Sequence, residues 1–598
     1  MIITSKFPGR CSECGREIRM GDRISWSRGT RVVQHAACSA EGRTALQAVA
    51  DSRATELPTA NGAELPVPSG LEYLPFQRAG IAYALRRRST LIADEMGLGK
   101  TVQAIGWLNA SANVHTALIV CPASLKLNWR RECEKWLTRE AAVTVFVLIV
   151  NYEQLSKLHD GAYDVVILDE AHYIKNPKAA RSKLAMALAK RAKHVLCLTG
   201  TPIMNKPVEL WSLLQILDPE TWDPPGTIKG RAVGAGEGAG FFRFAKRYCD
   251  AHQEQVARNK TVWVFDGHSN LAELNERLRA TVMVRRLKAD VLVELPAKRR
   301  IILTIPSACK DGERWLGDCP DDYEEMTRRV AAIPFTEWSQ TRHEQGMSKV
   351  DAAVEHIANA LESGSAKIIV FAHHKDVMDA LREKLAGYGV VSLTGEDSAT
   401  QRDESVTRFQ SDPSCRVFVG SLKAAGVGLT LTAASHVVFV EASPVPADMS
   451  QAEDRAHRIG QRESVLVEVL VLEGSIDARM MALVQAKQAV ADLALDADTL
   501  DTSERELVES GEERRARALR EADLTENELE SIHERVRWLA SRCDGARAQD
   551  GAGFNRIDSM FGHALAEAHA LSPRMALDAK KMLVKYQEQL ENIPRNIP

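Results

Sequence analysis

Lys100 and Thr101 stand directly after two glycines, Gly97 and Gly99, in the stretch Thr90–Thr101, TLIADEMGLGKT. Leu91 to Ala93 read as the end of a buried strand, and a helical run opens at Lys100. Strand, glycine turn and helix start make an anion site, because the first N–H groups of a helix lack intrahelical partners and point outward. Glycine lets that backbone wrap a phosphate with no Cβ in the way. Such a loop cradles a nucleotide with Glu95, Met96, Gly97, Leu98 and Gly99, while Lys100 reaches the terminal phosphates and Thr101 holds Mg2+. The generic pattern asks for glycine where this chain has Asp94, so the match is incomplete. A turn that merely joins strand to helix is the competing reading.

Asp169 and Glu170 follow the apolar run Val165–Leu168. A carboxylate at the carboxyl end of a strand beside a phosphate loop holds the Mg2+ hydration shell, and the next acid orients and deprotonates the attacking water. Thr199-Gly200-Thr201-Pro202 closes another strand, with hydroxyls placed to sense the terminal phosphate. Far downstream, QAEDRAHRIGQ at Gln451–Gln461 carries Arg455 and Arg458 three apart, a spacing that puts both on one helical face. Guanidinium groups reaching a phosphate site stabilise charge that develops on the transferred phosphoryl group, although surface arginines at this spacing are common and the pair alone does not establish the role.

A second kind of chemistry lies at the start of the chain. Cys11, Cys14, His35 and Cys38 form C-x2-C-x20-H-x2-C. Three thiolates and one imidazole in two close pairs are a structural Zn2+ set, with no open position for catalysis. A segment this short builds little core of its own, so a metal supplies the missing folding energy. Arg10, Arg16, Arg19, Arg23, Arg28 and Arg31 surround it among Glu13, Glu17 and Asp22, which fits either phosphate contact or a solvated mixed-charge surface.

The elements that must position these groups alternate. In the first half, strands are expected at Ala117–Val120, Val143–Val150, Val165–Leu168 and His194–Leu198. Helices are expected at about Ser124–Trp136, Glu153–Leu158 and Lys178–Ala189. A second series runs through Ile301–Ile305, Ile368–Phe371, Val390–Leu393, Val417–Val419, Val437–Val440 and Val465–Leu472. Alternation of this kind predicts two parallel sheets covered by helices on both faces, with a cleft between them.

With the order of motifs in place, DEMGLGKT, DEAH, LTGTP and, after Gly426-Val-Gly428-Leu-Thr430-Leu-Thr432, QAEDRAHRIGQ resemble the Swi/Snf family of superfamily 2 helicase-like DNA translocases. PFQRAG at Pro75–Gly80 resembles that family's adenine-recognition segment, which implies Gln77 as base reader. The departure at Asp94 is usual for the family. MVRRLKADVLVELPAKRR, Met283–Arg300, resembles its segment near the lobe boundary; read from residues alone it is a basic helix before a Pro break, with Arg285, Arg286 and Lys288 at even odds of being solvated. VFAHHK, Val370–Lys375, is similar to the annealing-helicase branch. His373 and His374 are no metal pair, because adjacent strand residues face opposite ways.

The resemblance covers about residues 71–490 and implies two tandem RecA-like α/β lobes. It divides the chain into a zinc module (1–40), a linker with some helix (41–70), lobe 1 (71–295, with a helical insertion at about 218–270), lobe 2 (296–495) and a helical extension (496–598). Within the insertion, FFRFAKRY at Phe241–Tyr248 is expected to bury its Phe residues in core in preference to gripping nucleic acid. Residues 421–432 are expected near a DNA backbone. In the extension, Ile532, Val536 and Leu539 fall on one helix face, Arg514, Arg515, Arg517 and Arg520 form a basic cluster, and Ser572-Pro573 caps a last helix.

The implied activity is DNA-dependent ATP hydrolysis with Mg2+, driving movement on double-stranded DNA in repair, fork remodelling or annealing. A protein-directed remodeller, docking through the zinc module or the extension, and a strand-separating helicase are the alternatives. Bulk properties agree: 598 residues suggest about four domains, and a net charge of −3 leaves nucleic-acid binding to local basic surfaces. The purest apolar run, Ala141–Val150, is too short to span a bilayer, so no membrane partner is expected. Cys121, Cys197 and Cys415 stand singly in apolar segments, as reduced thiols do in a cytoplasmic protein. A monomer is expected, in a prokaryotic or phage-infected cell, since no nuclear-localisation run is present.

Overall fold

The computed structural model describes residues 2–5, 8–19, 22–26, 32–56, 65–158, 161–228, 231–235, 238–257, 260–292, 294–307, 329–330, 333–422, 429–496 and 526–541, with isolated positions at 566, 579, 580, 583 and 586. Contacts divide the chain into two units, Met1–Val508 and Glu509–Pro598.

Two six-stranded sheets organise the larger unit. In the first, the spatial order is Met283–Val284, Ser89–Ile92, His194–Leu198, Val165–Asp169, Thr116–Cys121, Phe146–Asn151, every neighbour parallel. The second runs Lys298–Ile305, Val465–Leu472, His436–Phe439, Ile368–Ala372, Val417–Ser421, Val390–Leu393, again all parallel. Central strands such as Ser89–Ile92 and Ile368–Ala372 are buried along their whole length, as sheets covered on both faces require. This is the expected pair of tandem α/β lobes. Parallel strands also bring every phosphate-loop, acid and threonine turn to one carboxyl edge.

Several local expectations change. Val143 is helical and exposed, because Thr138 caps a short helix, Arg139–Thr144, by accepting from Ala141 N, and the strand starts only at Phe146. The segment expected as a helix at Glu153–Leu158 is a 3-10 helix, Tyr152–Lys157. Residues 41–70 are more than a spacer. Ser39 Oγ accepts from Gly42 N at 2.9 Å and opens a helix, Ala40–Arg53, that packs against the helix Leu271–Thr281.

The insertion is not purely helical. It holds two hairpins, Gly226–Ile228 with Arg231–Val233 and His252–Ala257 with Lys260–Val264, beside the helix Phe241–Tyr248. Phe244 and Tyr248 are buried, as expected, whereas Phe242 stays exposed against Trp263 and Phe265. The run Met283–Arg300 is corrected most. Met283–Val284 forms the sheet's edge strand, a single helical turn follows at Lys288–Val291, and Arg285, Arg286 and Lys288 are all buried.

In the N-terminal module, Ile2–Thr4, Arg23–Trp26 and Val33–His35 form an antiparallel sheet, and Cys11, Ile18 and Ile24 make its small core. In the smaller unit, helix Glu526–Ser541 buries Ile532, Val536 and Leu539 on one side, the face their spacing predicts. The basic cluster at Arg514–Arg520 and residues 423–428 lie outside the described residues, as does the helix expected after Ser572 apart from positions 579, 580, 583 and 586.

Candidate nucleotide site and zinc module

The phosphate loop begins where Ser89–Ile92 ends. Gly97 and Gly99 have φ of 84° and 74°, left-handed values that other residues rarely adopt, and helix Lys100–Ala110 starts immediately after. A Cβ on Gly99 would come 2.5 Å from Gln77 Nε2. Gln77 is buried there, donating to Leu98 O at 3.2 Å while its Oε1 accepts from Leu74 N at 3.0 Å. Gln77 thus ties its own helix start to the loop. Lys100 Nζ donates to Asp94 O at 2.9 Å and Glu95 O at 3.3 Å, folded back on the loop it serves. Burial lowers its pKa, opposed by the charges of Glu170 and Asp94.

Asp94 occupies the position where the generic loop has glycine, and its side chain is fully buried. Arg286 Nε donates to Asp94 Oδ1 at 2.8 Å and Gln103 Nε2 to Oδ2 at 2.8 Å. Next to it, Arg285 donates to Asp496, to Ala93 O and to Gly200 O. These pairs are why the basic run is buried and not solvated.

Asp169 is the last residue of its strand. Its Oδ2 accepts from Trp129 Nε1 at 2.7 Å and its Oδ1 from Glu170 N at 2.9 Å. Burial, helped by the charge of Glu170, raises its carboxyl to about 7. Glu170 sits at φ 47°, a left-handed geometry that costs a side-chain-bearing residue on the order of 1–3 kcal/mol. That turn keeps Glu170 in the site: its Oε2 is buried without a hydrogen bond, and Lys100 and Arg455 both favour its charge against the burial that raises its pKa.

His172 continues the chain of contacts. Its Nδ1 lies 3.2 Å from Thr199 Oγ1, which also accepts from Thr201 N at 3.2 Å. Gln451 Nε2, from the second lobe, donates to Thr201 Oγ1 at 3.4 Å. With His172 Nδ1 also 3.4 Å from Glu170 Oε2, a polar relay runs from the acids, through the threonine turn, into the opposite lobe.

Arg455 and Arg458 meet the same place by a different geometry from the one expected. The helix Pro446–Glu453 stops before them, and both lie in successive turns, not on one helical face. The physical reason is tertiary. Lys288 Nζ donates to Asp454 Oδ1 at 2.8 Å and to His457 O at 2.6 Å, and Lys298 and Arg300 take Glu453, so this stretch is pulled onto the lobe boundary. Arg455 Nη1 and Arg458 Nη1 nonetheless share one acceptor, Leu429 O, at 3.5 and 3.1 Å. Arg458 Cβ would stand 3.0 Å from a Cβ on Gly97, so the second lobe touches the phosphate loop. On the outer rim, Arg131 donates to both carboxylate oxygens of Asp403 at 3.1 and 3.3 Å across the lobes.

Lys100, Asp169, Glu170, Arg455 and Arg458 are therefore brought together, with Thr101 in the first turn of the loop helix. Sequence reasoning missed Trp129, His172 as a link and Gln451, and left the role of Lys288 open. Only Asp94 had left a trace, because an acid in a glycine position asks for a cation.

In the N-terminal module the ligand atoms of Cys11, Cys14, His35 and Cys38 all lie within 4.8 Å of one another. Cys14 Sγ and His35 Nδ1 are 3.3 Å apart, while His35 Nε2 lies 3.1 Å from Glu17 O. A carbonyl on Nε2 fixes the tautomer that presents a bare Nδ1 to the thiols. The Arg16 backbone N–H holds the Cys14 thiol down to about 6, and hydrogen bonding with Cys14 pushes Cys38 up to about 11. Three thiols and a bare imidazole nitrogen converging on one point are a donor set that fits Zn2+. Arg23 pairs with Glu276, joining the module to lobe 1.

Comparison with known proteins adds a further finding. Residues 76–167 and 143–313 match the SNF2-related domain, and residues 348–460 the helicase conserved C-terminal domain. The chain is 35% identical over 465 residues to the DNA annealing helicase and endonuclease ZRANB3 of Bos taurus, covering 72% of this chain and 41% of that protein. It is 34% identical over 466 residues to the SWI/SNF-related matrix-associated actin-dependent regulator of chromatin subfamily A-like protein 1 of Xenopus tropicalis, covering 72% and 46%. It spans about half the length of these relatives or less. The Sulfolobus solfataricus SWI2/SNF2 ATPase core in complex with dsDNA is 22% identical, covering 74% of this chain and 99% of that one, with a TM-score of 0.33. Among the described residues, no helix is long and apolar enough to cross a membrane.

Proposed function

Because this chain belongs to the SNF2-related, Swi/Snf-type family of helicase-like ATPases, we propose that it is an ATP-driven translocase on double-stranded DNA. The observation that carries this is the meeting of Lys100, Asp169 and Glu170 with Arg455 and Arg458 from the opposite lobe.

In this reading, the loop from Glu95 to Gly99 and Lys100 hold the phosphates, and Gln77 sits at the loop as base reader. Thr101 and Asp169 hold Mg2+, which when bound screens charge on the phosphate oxygens. Glu170 takes the proton of the attacking water; its buried Oε2, free of hydrogen bonds and 3.4 Å from His172 Nδ1, is the acceptor. Arg455 and Arg458 stabilise charge on the transferred phosphoryl group. The relay His172–Thr199–Thr201–Gln451 links the state of the acids to lobe closure. Each lobe then grips the DNA backbone in turn, and since phosphates carry no sequence, specificity is low. A role in repair, fork remodelling or strand annealing, in a cytoplasmic setting, belongs to the same proposal. Cys11, Cys14, His35 and Cys38 hold a structural Zn2+, which locks the small module and takes no part in hydrolysis.

The test is ATPase rate on a panel of plain, forked, gapped and single-stranded DNA, with triplex displacement as the readout of movement. Strong stimulation by duplex with displacement is expected. Stimulation by single strands alone would replace the proposal with a strand-separating helicase.

A further inference from the structure

The strand Val465–Leu472 reads VLVEVLVL, with a single carboxylate, Glu468, between the strands Lys298–Ile305 and His436–Phe439 of the second sheet. A buried carboxylate in an apolar sheet interior is costly unless something compensates it. Two imidazoles do. His356 Nε2, from the long helix Phe335–Glu362, lies 2.6 Å from Glu468 Oε2, and His436 Nε2 lies 2.7 Å from the same oxygen. All three ligand atoms fall within 4.8 Å of one another. None of these residues belongs to the nucleotide site or the zinc module.

The geometry points to a second metal site: we propose that His356, His436 and Glu468 bind a divalent transition-metal ion of the zinc class. Two imidazole nitrogens and one carboxylate oxygen facing one point are a zinc donor set with a position left for water. Calcium and magnesium are disfavoured, since they take oxygen donors. His436 carries the outer contact that ligating histidines use: its Nδ1 lies 3.2 Å from Ser365 Oγ, which orients the ring and leaves Nε2 for the ion. The rings stand at 89° to each other with centroids 6.5 Å apart, so the nitrogens converge from different directions without stacking.

Donors at 2.0–2.2 Å from a tetrahedral centre are separated by about 3.3 Å. Loading the site therefore asks the nitrogens to retreat by about 0.6 Å from the carboxylate oxygen they now contact. His356 can make that movement, because its side chain is 34% exposed while His436 is 8% exposed. The same exposure admits water to the fourth position. A bound ion joins the helix Phe335–Glu362 to two neighbouring strands, clamping lobe 2 at a place independent of ATP.

The test is metal stoichiometry of the full chain, stripped with chelator and dialysed to equilibrium against Co2+ or Zn2+. Parent protein is compared with His356→Ala, at a part-exposed helix position, and Glu468→Gln, which keeps the shape and removes the charge. Both variants are expected to bind one equivalent fewer than the parent. The thiolate-to-cobalt absorption of the cysteine cluster should be unchanged in both, so the loss is assigned to this site whether or not the cysteines load. Unchanged stoichiometry in either variant overturns the proposal.

Discussion

Arg286 Nε donates to Asp94 Oδ1 at 2.8 Å, joining the first residue of the phosphate loop to the end of a strand 192 residues later. Both side chains are buried, and Gln103 closes the network from the loop helix. Asp94 is thus a fastening point, which is why the chain departs from glycine there. Asp94→Gly restores the generic loop pattern but leaves a buried guanidinium unpaired. We expect a loss of stability of about 3–5 kcal/mol, read as a lower urea midpoint. A midpoint equal to the parent's would show that the pair holds nothing.

The acids and the lysine should separate binding from chemistry. Lys100→Ala removes the cation from the phosphates, so nucleotide affinity should collapse. Glu170→Gln keeps the shape and loses the proton acceptor; binding should persist while turnover falls roughly 10²- to 10⁴-fold. Parental turnover in Glu170→Gln would move the role of base elsewhere.

Removing the cysteine pair tests the module. A Cys11→Ser, Cys14→Ser double variant should lose the metal held there, and its N-terminal segment should become protease-sensitive, because little other core supports it. DNA-free ATPase activity should largely survive. The assignment of Zn2+ fails if the parent's cysteines show no thiolate-to-metal absorption when loaded with Co2+.

His172 supplies a pH signature. Burial holds it down to about 4, against about 6.5 when unfolded. Between those values the unfolded chain binds a proton at this residue that the folded one refuses, so the His172 contribution to stability falls as pH drops from 6.5 to 4, opposite in sign to that of Asp169, whose raised carboxyl takes up a proton in the folded state over the same window. The slope integrates to about 3 kcal/mol across that window. His172→Gln should remove this contribution while keeping a partner for Thr199, so the stability difference between parent and variant should change by that amount between pH 6.5 and 4. Identical pH profiles for parent and variant would mean that the imidazole is not held neutral.

Movement on DNA should show the salt dependence of backbone contact. If about five phosphates are neutralised, log K against log salt has a slope near −4 to −5, equal for unrelated sequences. Binding to duplexes of different sequence across a salt series checks both points. A slope near zero, or strong preference for one sequence, would contradict a grip on phosphates.

The nucleotide loop, the acid pair and the two-sheet alternation were legible because each is local. A strand, a glycine turn and a helix start occupy about a dozen consecutive residues, and apolar periodicity marks a buried parallel strand without reference to its neighbours. The four zinc-type ligands were legible for the same reason, as two close pairs. What the chain read alone did not determine is where its charges pair. Arg285, Arg286 and Lys288 read alone fit a solvated basic face as well as any other role, and the structure buries them on Asp496, Asp94 and Asp454. The Lys288–Asp454 pair, with Lys298 and Arg300 on Glu453, draws residues 454–458 out of helical register, so Arg455 and Arg458 converge through turns. The meeting of His356, His436 and Glu468 likewise joins three separate elements. Hydrophobic period is written in neighbouring residues, whereas a buried charge is satisfied by whichever partner the folded chain brings within a few ångströms, and only the tertiary structure decides that.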